Sequence, residues 1–168
     1  MDRDALRELF DYTSFTWASY GNALAQLPGD AFGREVDGPG WPSLRDALFH
    51  VATGWDDWLR DRLGADHPLD ATAGSIESWD ALQPHRERTR NWFRRVLDET
   101  PEAKLHERDV AVFQGMRVSV EEVLVHILLH ERAHHGDING LLERAGAQLP
   151  ASDYLVYVYF RDRARDAG

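Results

Sequence analysis

The sequence predicts an all-α four-helix bundle, with a short extended excursion before the last long helix and a short C-terminal helix. Three observations carry that reading. Apolar residues recur at three- and four-residue steps over four separate stretches, the period of a helix with one buried face. Serine caps open the second and fourth stretches, and proline or glycine ends the first three. The only stretch whose period falls to two, Val110 to Val120, is too short to found a sheet. At 168 residues, 43% apolar and 29% charged, the chain is expected to form one domain over residues 1–168 around a continuous core.

The elements follow in order. Leu6, Leu9, Thr13, Trp17, Tyr20, Leu24 and Leu27 mark the first helix, and Pro28-Gly29-Asp30 ends it. The stretch up to Trp41-Pro42 holds Gly33, Gly38, Pro39 and Gly40 and reads as loop. Ser43 caps the second helix, with Asp46 three residues on in a capping-box-like start. Its apolar face is Leu44, Leu48, Val51, Trp55, Trp58 and Leu59, and His50 lies beside that stripe. Gly64 to Gly74, with Pro68 inside, is a connection. Trp79, Leu82, Thr89, Phe93, Val96 and Leu97 give a third helix that stops before Pro101.

Around Gln114-Gly115, the alternating Val110, Val112, Met116, Val118 and Val120 predict a short hairpin. Ser119 with Glu122 is a second capping box and opens the fourth long helix. The stripe of that helix runs Val120, Leu124, Ile127, Glu131, His134, Ile138, Leu141 and Ala145, so two polar residues occupy apolar places. Such a break in pattern marks a functional site. Tyr154 to Phe160 is apolar or aromatic throughout, which propensity alone reads as a strand. Four helices leave no sheet to receive it, so a short helix packed on the bundle is expected.

Composition excludes several functions. The formal charge is -10 and no basic cluster stands clear of acids, which argues against nucleic acid as a partner. Arg86, Arg88, Arg90, Arg94 and Arg95 read as a solvated helix face. There is no cysteine, hence no disulfide and no thiolate ligand. With no apolar run of about 18 residues and no signal-peptide pattern, no membrane partner is expected, and a cytoplasmic location is the default.

The chemistry concentrates on His126, His130 and His134, which stand one helical turn apart on one face. Burying several imidazoles is costly unless each has a partner, and one divalent ion partners several at once. His130-Glu131-x-x-His134 also spells the His-Glu-x-x-His motif of zincin proteases, with Glu131 in the place of the general base. The longer metzincin pattern fails, since Gly140 stands where its third histidine belongs. The other long helices must then supply the third ligand, and His50 between Phe49 and Val51 is the best donor. Three imidazoles leave a coordination position for water or a sulfur. His135 points about 100° away from His134 and is expected on the surface. His67, His85 and His106 receive no role, and Trp55, Trp58, Tyr12 and Trp17 are candidate walls of an apolar pocket, with a plain core role the alternative.

Leu44-Arg45-Asp46-Ala47-Leu48-Phe49-His50-Val51, followed by His126, His130 and His134-His135-Gly136-Asp137, resembles the DinB/YfiT-like metal-binding four-helix bundles. The likeness extends over nearly the whole chain. It implies His50, His130 and His134 as metal ligands and His126 as a neighbour that orients them. The family's second histidine is usually followed by Arg-Gly-Gln, whereas here His135-Gly136-Asp137 keeps only the glycine. The resemblance implies one divalent metal (zinc, nickel, iron or manganese) and a homodimer. It also implies a transferase or hydrolase acting on a small electrophile, with a low-molecular-weight thiol such as bacillithiol or mycothiol as co-substrate. Glu131 or Asp137 is then the proton acceptor, and a non-catalytic metal- or ligand-binding bundle is the alternative.

Overall fold

The computed structural model describes residues 1–64, 71–149 and 151–166, so most of the connection around Pro68, and His67 with it, lies outside the described residues. Four long helices form the body. Helix α1 is Arg3–Leu24, α2 is Leu44–Leu63, α3 is Trp79–Glu99 and α5 is Val120–Arg144. A single-turn helix, α4 (Glu102–Leu105), follows α3, and α6 (Tyr154–Asp166) closes the chain. α2 packs against α3 and α5, and α1 against α5 and α3.

Caps set the boundaries. Asp2 accepts the Ala5 N–H at 2.8 Å to open α1. Ser43 accepts the Asp46 N–H at 3.1 Å to open α2, but its own hydroxyl donates to the Asp46 carboxylate, so only half of the expected box forms. At α5 both halves are present: Ser119 accepts the Glu122 N–H at 3.1 Å, and Glu122 Oε2 accepts the Ser119 N–H at 2.8 Å. Gly64, at φ 73°, takes the left-handed conformation that ends α2.

The expected hairpin is there in miniature. β1 (Val110–Ala111) and β2 (Arg117–Val118) pair antiparallel, Val110 opposite Val118, across a tight turn at Gln114-Gly115. The apolar C-terminal run is helical as well. It is less buried than seven apolar residues suggest: Tyr157 packs on Tyr12 and Phe15, while Leu155, Tyr159 and Phe160 stay exposed.

Two apolar clusters stack along the bundle. One gathers Tyr20, Leu44, Leu48, Leu82 and Leu141, the other Phe10, Trp55, Leu59, Phe93 and Leu124. Between them lies a polar layer absent from the sequence reading. Arg86 sits between the Trp17 and Trp55 rings, 4.7 and 4.5 Å from their centroids. Its guanidinium makes two hydrogen bonds to the Glu131 carboxylate, at 2.7 and 2.8 Å. Each residue is 1% exposed.

Two expectations are corrected here. Arg86 and Arg90 belong to the inside of α3, not to a solvated face, because they continue the stripe of Leu82 and Phe93 at helical spacing. Arg90 donates to Thr13 Oγ1 at 2.9 Å and to the Phe10 carbonyl at 3.2 Å, which satisfies it inside. His135 is buried, not exposed: it lies one turn after Glu131 on the α5 face that meets α1, edge-on to Tyr20 at 5.5 Å. Arg132 donates to its Nδ1 at 2.6 Å.

Candidate metal centre

Helix spacing places the three predicted ligands. His130 and His134 are one turn apart on α5, and His50 comes from the second turn of α2, which faces them. His134 Nε2 lies 3.2 Å from His50 Nε2 and 3.3 Å from His130 Nε2. One nitrogen from each of the three falls within 4.8 Å of the others, the one such group of metal-ligating side chains among the described residues. A tetrahedral ion bound at roughly 2.0–2.1 Å holds two nitrogens about 3.3 Å apart. The donor set and its spacing therefore fit a divalent cation.

The groups around the triad fix its rings. His134 Nδ1 lies 3.0 Å from Asp137 Oδ2, one turn on, and the Trp41 indole N–H donates to the same oxygen at 3.2 Å. With Nδ1–H given to the carboxylate, Nε2 keeps its lone pair toward the other imidazoles. The Trp41 ring also lies over His50, 4.8 Å between centroids at 33°, and edge-on to His134. The loop before α2 thus covers one side of the triad.

Gly54 borders His50 and His130 with a hydrogen in place of a side chain. It stands one turn after His50 on α2, and a Cβ placed there would lie 3.7 Å from His50 Cε1 and 3.8 Å from His130 Cε1.

Electrostatics favour neutral, lone-pair-bearing rings. Burial, and after it the neighbouring imidazoles, pushes His130 down to about 4. The same causes lower His50, and burial lowers His126. At neutral pH these nitrogens are donors ready for a cation.

The remaining candidates disperse. His126 stays outside the triad, its ring 6.0 Å from that of His130 and 4.2 Å from Trp58. Glu131 points inward to Arg86, away from the cluster, unlike the catalytic glutamate that the zincin motif requires. Burial alone would push its carboxyl up, but the Arg86 charge and the His135 hydrogen bond hold it below the ordinary value. Trp55 and Trp17 are core residues, and Tyr12 donates its hydroxyl to the Ser152 carbonyl at 2.6 Å. Of the proposed aromatic walls only Trp58 comes near the histidines.

Sequence reasoning missed Trp41 and Gly54. Both left a signal: a lone tryptophan in a glycine-rich loop just before a cap, and a glycine inside a helix one turn from a ligand.

Comparison with known proteins agrees with this geometry. The model of the DinB family matches residues 1–165. No curated protein matches the chain.

Proposed function

Because the chain belongs to the DinB family and its facing helices bring three imidazoles to one point, we propose a divalent-metal-dependent enzyme that joins a low-molecular-weight thiol to a small electrophile. The observation that carries the reading is the donor count. Among the described residues three imidazoles meet, one short of the four protein donors of a closed structural site, which is the pattern of a catalytic one. A divalent ion held there supplies Lewis acidity, favouring thiolate over thiol at neutral pH.

The chain's own residues do the rest. His50, His130 and His134 each present one nitrogen, and Asp137 accepts from His134 Nδ1, which leaves Nε2 facing inward. Trp41 shields the triad on one side, which strengthens each polar contact there. In the transfer, the thiol sulfur forms a bond to carbon and the bond from that carbon to its leaving group breaks. The leaving group departs with the electron pair, and the thiol proton passes to Asp137 and on to solvent. We assign the proton to Asp137 because it is half-exposed beside the triad, whereas Glu131 is committed to Arg86. The homodimer and the cytoplasmic location belong to the same proposal.

The test loads the purified protein with zinc, nickel, iron or manganese in turn and supplies bacillithiol or mycothiol with a panel of alkyl and aryl halides and epoxides. Metal-dependent thioether formation, lost in folded His50→Ala, is expected. No product across the panel overturns the proposal in favour of a non-catalytic metal-binding bundle.

A further inference from the structure

The groove between α2 and α5 does not stop at the triad. The two helices run antiparallel with matching one-turn steps: His50 faces His134 (ring centroids 4.6 Å apart), Gly54 faces His130, and Trp58 faces His126 (4.2 Å). Trp58 and His126 line a pocket of about 120 Å³ with almost wholly apolar walls, whose rim includes the hairpin residues Phe113, Met116 and Val118. We infer that this pocket is the subsite for the apolar end of the substrate, taking one uncharged group about the size of a benzene ring while the polar end lies at the three imidazoles. Which end reacts rests on the proposed function. The subsite itself does not.

Four features support the inference. A cavity of about 150 Å³ lined by apolar side chains stays dry and binds benzene, so the volume here suits a single ring. Phe113 and Met116 are 60% and 44% exposed on the lip, where apolar side chains are otherwise unfavourable and where binding grooves place them. The turn that holds them has Gln114 at φ 55°, a conformation that non-glycine residues rarely adopt, locked by the Val112 N–H to Met116 carbonyl bond at 2.9 Å. Glu122, the acidic residue in the wall, accepts from the Ser119 N–H and from Arg108, so its oxygens are engaged and the pocket selects on apolar bulk.

Gly54 is the α2 residue that stands between the two ends. Its backbone needs no glycine, and glycine inside a helix is less stable than alanine. A side chain longer than a methyl would enter the space between His130 and His50.

Two titrations test the inference. In the first, metal-free protein is titrated with benzyl alcohol and followed by NMR. The Trp58 indole and His126 ring signals should shift in the wild-type protein, and the affinity should fall about tenfold in the Phe113→Ser/Met116→Ser double variant. Both positions are exposed, so the fold tolerates them. In the second, cobalt-loaded protein is titrated with 2-phenylethanethiol and with ethanethiol, and the cobalt absorption is read. The aromatic thiol should bind at least tenfold tighter, and that ratio should fall toward one in the double variant and in Gly54→Leu. Absence of the benzyl alcohol shift at Trp58 and His126 overturns the subsite. Equal affinities of the two thiols overturn its continuity with the triad. If benzyl alcohol binds at Trp58 and His126 while neither thiol alters the cobalt spectrum, the subsite stands and the thiol chemistry falls.

Discussion

Glu131→Gln separates two readings of the same five letters, a protease glutamate and a core ion pair. The substitution keeps volume and removes charge, leaving the Arg86 guanidinium 1% exposed between two indoles without its counter-ion. Removing one partner of a buried pair costs about 3–5 kcal/mol. Against a total stability of about 5–15 kcal/mol that is a large share. With a urea dependence of roughly 2 kcal/mol per molar, the unfolding midpoint should fall by about 2 M. Replacing both partners, Arg86→Met with Glu131→Leu, should recover most of the loss, because no charge is then stranded. The pH dependence gives a second readout. Glu131 is held below its ordinary 4.5, so as pH falls the unfolded chain takes up the proton first. The contribution is therefore whole above about 4.5 and fades as pH falls through the folded value. Glu131→Gln should remove that part of the acid sensitivity while bound metal stays unchanged. A Glu131→Gln protein of wild-type stability that has lost metal or turnover would refute the ion-pair account.

Four further outcomes follow from the same structure. Asp137→Ala frees His134 Nδ1 and should weaken metal binding about 10- to 100-fold in a competition titration with a coloured chelator, without lowering the stoichiometry at saturation. With His130 held at about 4, its competition with the proton should make metal affinity keep falling from about pH 6 down to pH 4, as isothermal titration at stepped pH would show. In the same range the metal-free fold should lose stability, because unfolded histidine takes its proton near 6.5 and the folded His130 only near 4. Ser119→Ala removes one half of the capping box that opens α5 and should cost about 0.5–2 kcal/mol in urea unfolding, with metal content unchanged.

Most of the bundle was legible because period and caps agree. Ser43 and Ser119 each open a helix where the apolar stripe begins, and Gly64 ends one in the conformation glycine favours. The triad was legible for a related reason: one-turn spacing on one helix, plus a histidine misplaced beside an apolar stripe on another, constrains which side chains can meet. The polar layer was not. Arg86 belongs to a basic run that composition assigns to the surface, and Glu131, though it stands in the apolar stripe, points by its motif to the metal; only the ion pair across the core shows that each satisfies the other. His135 was misplaced although its spacing from Leu128, Glu131 and Ile138 marks the inner face, because α5 buries a wider arc than one stripe. Trp41 and Gly54 carry local signals, but their place in the site follows from the contact between a loop and two helices.

On the proposed reading α2 and α5 hold one divalent ion jointly through three imidazoles. Anomalous diffraction at the metal edge from crystals of the zinc- or nickel-loaded protein addresses it directly. The account predicts a single peak bonded to Nε2 of His50, His130 and His134 at about 2.0–2.1 Å. A peak held by His126 and His130 without His50, or by four protein donors, would contradict it.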